Sequence, residues 1–197
     1  MLSLLKGVKG MTNETKTPEI LEKGILRANH GLSVFKDGTI RFDVTNAPLT
    51  HFTPEEVGVS VEQLKANNYL NDFEGNPLLK SDQICELKVQ DVVIPKKCAK
   101  YFLHVANFLD ELLERVYGMS PYYNIKSTND LIGHLIIGLA PHTSVGIVGR
   151  IIGFTPLNVC YAHPMWHSAK RRDCDGDEDA LMLALDTLLN FSKVFLP

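Results

Sequence analysis

Between residues 97 and 117 the apolar side chains of Tyr101, Val105, Phe108, Leu112 and Val116 recur at i, i+4, i+7, i+11 and i+15. That spacing marks one face of a helix, and it predicts a core-facing helix that Gly118 and Pro121 then stop. A second apolar series, Leu131, Leu135 and Leu139, predicts another helix over 129–140. Residues 60–68 predict a short helix, and Thr53-Pro54-Glu55-Glu56 a capped turn. Two β-rich runs, 33–36 and 39–44, flank Asp37-Gly38 and predict a hairpin. Residues 84–94 alternate enough for one or two strands, and 69–82, rich in Asn, Asp, Gly and Pro, read as loop. The texture changes after His142. Residues 145–154 mix β-branched side chains with Gly146, Gly149 and Gly153. Glycine inside such a run predicts bulges or close backbone contact, as in a small barrel. Further strands are predicted at 159–163 and 166–172, and an apolar helix over about 178–195 with Asp177, Glu178 and Asp179 at its start. Residues 1–22 carry Gly7, Gly10, Pro18 and a polar stretch, and read as a poorly ordered or linking segment before a domain over 23–197.

The chain has 197 residues, 45% of them hydrophobic, which supports one sizeable core and at most two domains. The formal net charge of −3 offers no global electrostatic footprint for nucleic acid, so any such binding rests on local patches. The cysteines at 85, 98, 160 and 174 form no C-x-x-C pair, which argues against a zinc ribbon and for reduced thiols. No run approaches the roughly 20 apolar residues of a membrane span, and none resembles a signal peptide, so a cytoplasmic protein without a membrane partner is expected.

The densest candidate chemistry is Asp173-Cys174-Asp175-Gly176-Asp177-Glu178-Asp179. Asp173, Asp175 and Asp177 alternate, so in extended chain they share a face, and Gly176 permits a bend that draws carboxylates together. Hard cations such as Mg2+ prefer these oxygens and keep positions open for substrate phosphates. Two-metal phosphoryl transfer needs carboxylates serving ions about 4 Å apart. The preceding Lys170-Arg171-Arg172 can neutralise a triphosphate or hold a nucleic-acid backbone. His163 and His167 lie close by. Plainer readings stay open at this point: a capped, solvated helix start for the acids, a surface charge run for the bases, structural histidines. An EF-hand is excluded, because glycine follows the second Asp of the series and the twelfth position from Asp173 is Ala184.

The segment from Ala162-His163-Pro164-Met165-Trp166-His167 through Ser168-Ala169-Lys170-Arg171-Arg172 to Asp179 closely resembles the catalytic segment of the large subunit of archaeal D-family DNA polymerases. Leu21-Glu22-Lys23-Gly24-Ile25-Leu26-Arg27, residues 35–42 and the stretch from Leu131-Ile132-Gly133-His134 to Gly153-Phe154 resemble the same subunit. The resemblance implies an α+β fold built on a double-psi β-barrel-like catalytic core with flanking helices. This chain would be the second of two barrels, with inserted helices at about 96–140. It implies Asp175 and Asp177 as the catalytic pair holding Mg2+, with Mn2+ as a substitute. Asp173, where the family typically has Asn, would be a third metal ligand. Lys170, Arg171 and Arg172 would contact phosphates of DNA or nucleotide, and His163, His167, His142 and Arg150 are second-tier candidates.

The activity implied is that of a DNA-directed DNA polymerase, a nucleotidyltransferase acting on primer-template DNA and dNTP in DNA replication. The partners implied are the remaining parts of the large subunit and, indirectly, the small exonuclease subunit. As an internal fragment of a much longer subunit, the piece is expected to be inactive alone, since the facing barrel has no counterpart here. Two other classes stay in play: a stand-alone metal-dependent nuclease or phosphodiesterase using the same carboxylates, and a catalytically dead interaction domain.

Overall fold

The computed structural model describes residues 20–35, 38–143 and 145–195, with side chains through residue 190. The chain divides into two compact units: residues 43–100 with 127–181, and residues 1–42 with 101–126 and 182–197.

The first of these is a barrel. Six strands close it in the order β1 (Phe42–Pro48), β7 (Val159–Ala162), β4 (Asp91–Pro95), β6 (Ile147–Thr155), β5 (Leu135–Leu139) and β8 (Glu178–Leu183). The expected α+β barrel class is therefore what the structure has. Pairing is mixed. β1 runs parallel to β7 and β4 parallel to β6, whereas β4 with β7 and β5 with β6 are antiparallel. Between Val92 and Val93 the β4–β6 register jumps from Ile151 to Gly153, a bulge inside the glycine-containing run.

Those glycines make room. A Cβ on Gly138 would sit 2.5 Å from the Trp166 ring, and one on Gly149 would sit 3.2 Å from it. The barrel wall thereby admits Trp166, which is buried and donates from its indole N–H to the Val148 carbonyl at 2.9 Å. Outside the barrel proper, β2 (His51–Phe52) pairs with β3 (Cys85–Glu86) and α2 (Val61–Ala66) follows a Ser60/Gln63 capping box. Phe52, Val57, Leu64, Tyr69, Leu78 and Leu87 pack with Val93 and Ile152 of the barrel into one apolar cluster. Thr53 and Glu56 cap each other as the sequence predicts.

In the other unit, α1 (Leu21–Asn29) carries Lys23, whose ammonium donates to Asn190 at 2.9 Å. α3 (Lys96–Arg115) buries Val105, Phe108 and Leu112 of the predicted face together with Phe102 and Leu109, while Tyr101 is half-buried and Val116 lies past its end. α5 (Ala184–Phe195) carries Asp186, which accepts from the Ile40 N–H at 2.8 Å. Burial pushes the Asp186 carboxyl up to about 6, against the pull of that N–H and of Lys23 and Arg27.

Several expectations are corrected. Residues 129–140 are not a helix. A single 3-10 turn (Thr128–Leu131) leads through Gly133, at φ +92°, into β5. Residues 166–172 are not a strand, because Pro164 at the first helical position and the His163 cap start α4 (Pro164–Ala169). Residues 178–183 are not a helix start but β8, and the helix begins at Ala184. Leu21 and Glu22 belong to α1 rather than to a linking segment, while residues 1–19 lie outside the described residues. Lys36 and Asp37 of the predicted hairpin also lie outside them. Around that turn the Phe35 N–H donates to the Thr39 carbonyl at 2.8 Å, yet no flanking strand pair forms among the described residues.

A candidate metal and phosphate site on the barrel

The acidic segment is the connection from α4 to β8, and two buried charges root it. Lys170, at the end of α4, has a side chain with no exposed surface. Its ammonium lies 2.5 Å from Asp179 Oδ2, 3.0 Å from Asn46 Oδ1 of β1, and 4.1 Å from the centre of the Trp166 ring. Asp179, the second residue of β8, is equally buried. Burial works against its charge, but the hydrogen bonds from Lys170 and Arg172 outweigh that and hold the carboxyl below the usual range. Arg172 then bridges inside to outside. Its Nε donates to Asp179 Oδ1 at 2.8 Å, its Nη2 to the Glu178 carbonyl at 3.2 Å, and its Nη1 to Asp177 Oδ2 at 2.8 Å. A planar guanidinium suits three acceptors in fixed directions.

Above this anchor the loop turns back. Gly176 has φ +108°, the left-handed conformation that favours glycine, so the bend expected from its identity is present. The Asp177 N–H points at Asp175 Oδ1, 3.4 Å away. Asp173, Asp175 and Asp177 are all exposed, as is Arg171, whose φ of +62° turns the chain between α4 and the loop. Among the described residues no three His, Cys, Asp or Glu side chains converge into a metal cage. The chemistry of the donors nonetheless fits Mg2+, which is bound through one or two carboxylates with water and substrate oxygens completing the shell. Asp175 and Asp177 can supply those carboxylates.

The structure thus brings together Asp177, Arg172, Lys170 and Asp179, with Asp175 beside them. It corrects the expectation for Lys170 and gives Arg150 and His142 other surroundings. Lys170 has no surface with which to touch a phosphate; it neutralises Asp179 from within. Arg150 is committed elsewhere, forking onto Asp91 with Nε–Oδ1 at 2.8 Å and Nη2–Oδ2 at 2.7 Å, where Tyr69 also donates to Asp91 at 2.6 Å. That network shares no residue with the Lys170 network. His142 is exposed in the β5–β6 turn with φ +58°.

His163 caps α4 by accepting the Met165 N–H. His167 is buried, and its Nε2 lies 3.0 Å from the Ala47 carbonyl. A carbonyl only accepts, so Nε2 carries the proton. Sequence reasoning missed Asp179 as the anchor and Asn46 altogether. The last carboxylate of the acidic cluster, directly before the apolar run 180–183, was the available signal for Asp179; Asn46 had none.

Burial, followed by the charge of Lys170, pulls the His167 imidazole down to about 4. The unfolded chain protonates near pH 6.5 and the folded one only near 4. The neutral ring's contribution is complete above pH 6.5 and lost as the pH falls through 4, roughly 3 kcal/mol in all, of which about 2 kcal/mol goes between pH 7 and 4.5. Urea melts followed through Trp166, the single tryptophan, should lose that much between pH 7 and 4.5, and His167→Gln should flatten the slope. The wild-type minus variant difference isolates His167 from Asp186, whose raised pKa acts in the opposite sense over the same window. Equal slopes in both proteins would refute the assignment.

The family model for the catalytic domain of the DNA polymerase II large subunit DP2 matches residues 1–197. The DNA polymerase II large subunit of Archaeoglobus fulgidus is 63% identical over 193 residues, 98% of this chain and 17% of its own length. That of Pyrococcus furiosus is also 63% identical, over 98% of this chain and 15% of its own length. That of Methanothermobacter thermautotrophicus is 61% identical over 100% of this chain and 18% of its own length. The chain spans less than a fifth of the curated relatives it matches. A closed barrel carrying a D-x-D-G-D bend, matched end to end by one family model and at this level of identity, leads to one assignment: the chain belongs to the family of the catalytic domain of the DNA polymerase II large subunit DP2.

Proposed function

We propose that this chain carries the metal-binding half of a DNA-directed DNA polymerase active site, acting on primer-template DNA and dNTP in replication. The observation that carries the reading is the pair of exposed carboxylates, Asp175 and Asp177, on a glycine bend whose base is pinned to the barrel by the buried Lys170–Asp179 pair. Asp175 and Asp177 hold the ion, and Asp173 is a further ligand candidate. Mg2+, or Mn2+ in its place, supplies the positive charge that steadies the triphosphate and favours ionisation of the primer 3′-hydroxyl. The protein's own part is positioning and charge neutralisation, which is most of what phosphoryl transfer asks of an enzyme. Arg171, exposed beside the acids, faces phosphate, and Arg172 sets the direction of Asp177. Lys170, Asp179 and Asn46 fix the height of the loop above the barrel.

The other half of the site comes from the remaining large subunit, with the small exonuclease subunit as an indirect partner in the cytoplasm. No helix among the described residues is long and apolar enough to cross a membrane.

Primer extension tests the reading. The chain is assayed with primer-template, dNTP and Mg2+ or Mn2+, alone and mixed with the remaining large-subunit segments. Extension is expected only in the mixture. Cleavage of DNA by the chain alone would favour a nuclease, and no activity with normal Mn2+ affinity in the Asp175→Asn, Asp177→Asn variant would favour an interaction domain.

A further inference from the structure

We infer that Arg172 is a placeholder cation, an internal charge that holds Asp177 in position until a divalent ion takes over its carboxylate. The inference rests on the reading of Asp175 and Asp177 as metal ligands. Its basis is the unequal commitment of one guanidinium. Nε and Nη2 bind the barrel, through the fully buried Asp179 and the Glu178 backbone carbonyl. Nη1 alone reaches out, to a carboxylate whose side chain is 55% exposed. Arg172 itself is only 17% exposed, so two contacts hold the plane of the group and the third depends on what else Asp177 can bind. A guanidinium keeps its charge at any pH at which the chain is folded, so the cation is permanent.

Charge counting points the same way. Along residues 170–179 the chain carries Lys170, Arg171 and Arg172 against Asp173, Asp175, Asp177, Glu178 and Asp179, three positive and five negative, an excess of two that equals one divalent ion. The exposed Asp177 ion pair is weaker than the Asp179 one, because an ion pair in water contributes little and is screened by salt, whereas the Asp179 contact is shielded. A divalent ion on Asp177 therefore competes with Nη1 and leaves Nε where it is. Arg172 is in this sense a positioning residue, acting on the metal through Asp177.

Mn2+ affinity of the 197-residue chain, read from water-proton relaxation, separates the possibilities. Removing the competitor with Arg172→Gln should tighten Mn2+ binding about threefold to tenfold, since the variant has no internal cation to displace. Arg172→Lys, which keeps a charge but cannot span Asp179 and Asp177 together, should tighten it less. A residue that merely held the fold would weaken binding when lost. A second measurement needs no variant. On titrating the wild type with diamagnetic Mg2+, the Arg172 Nη resonances should move while Nε stays.

Unchanged or weaker Mn2+ binding in Arg172→Gln, with wild-type binding abolished by Asp175→Asn, Asp177→Asn, overturns the placeholder role and leaves the metal site standing. Nη and Nε moving together, or neither moving while Mg2+ binds, overturns it too, including where Arg172→Gln fails to fold. No Mn2+ uptake by wild type and Arg172→Gln alike overturns the metal reading and the placeholder role with it.

Discussion

Replacing Lys170 by methionine is expected to destabilise the barrel unit by about 3 kcal/mol or more, because it strands a buried carboxylate. Asp179 keeps Arg172 at 2.8 Å but loses the ammonium that sits on its other oxygen with no exposure to water. Asn46 loses its donor at the same time. The measurement is a urea melt followed by Trp166 fluorescence, since the indole stacks against the Lys170 ammonium in the wild type. Methionine is close to lysine in length and fills the same channel beside Gly138, so the loss reports charge rather than volume. The control is Lys170→Met with Asp179→Leu. Removing both charges exchanges an ion pair for apolar packing, and much of the loss should return. A single variant within about 1 kcal/mol of wild type, or a double variant no better than the single, would show that the pair does not anchor the loop.

Asp175→Asn and Asp177→Asn, each introduced into the complete large subunit, are expected to lower primer extension by about a thousandfold or more, on the order of 4 kcal/mol of lost transition-state stabilisation. Asparagine keeps the size and one acceptor of each side chain but removes the charge a hard cation needs. Both aspartates are exposed, and the Asp177 carboxylate pairs with Arg172, which is otherwise anchored. Folding should therefore be nearly unaffected, within the small range of surface substitutions. DNA affinity without metal should also hold, which separates a catalytic loss from a binding loss. Asp173→Asn makes the informative contrast. If Asp173 is a metal ligand its loss resembles the other two; if it only lines the bend, extension stays within a few-fold of wild type. Residual activity above about a tenth in Asp175→Asn and Asp177→Asn would refute their place as the metal pair.

The helix predicted over 97–117 and found at Lys96–Arg115 was legible because its one apolar stripe persists through about four turns, and a pattern that long admits no other element. The acidic bend was legible because Gly176 and its flanking aspartates are local chemistry, complete within five residues. The errors share a cause. Residues 178–183 read as a helix because Ala, Leu and Met are good helix formers in isolation. In the fold they form β8, since closing a six-stranded barrel gives that stretch a neighbouring strand on each side, and sheet contacts of this kind override local propensity. Residues 129–140 failed similarly: two glycines and three isoleucines were outvoted by a leucine spacing that β5 does not use. At 166–172 the signal was present in His163-Pro164 and was passed over.

By itself the sequence determined the candidate groups: carboxylates spaced around a glycine, a basic run before them, and one strong amphipathic helix. These are properties of residues and their near neighbours, and they survive any fold. Only the tertiary structure decided how the charges divide. Lys170 and Arg172 stand two residues apart in one basic run, yet one faces the interior and the other bridges to the surface. Asp177 and Asp179 stand equally close, and one is open to water while the other is sealed. The reason is that Asp179 lies inside β8, where every residue after Glu178 is buried, while Asp177 precedes the strand in the loop, and that Lys170 at the end of α4 reaches Asn46, a partner more than a hundred residues away. Burial belongs to the assembled barrel, and burial is what turns two of these four charges into a foundation and leaves the other two for the site.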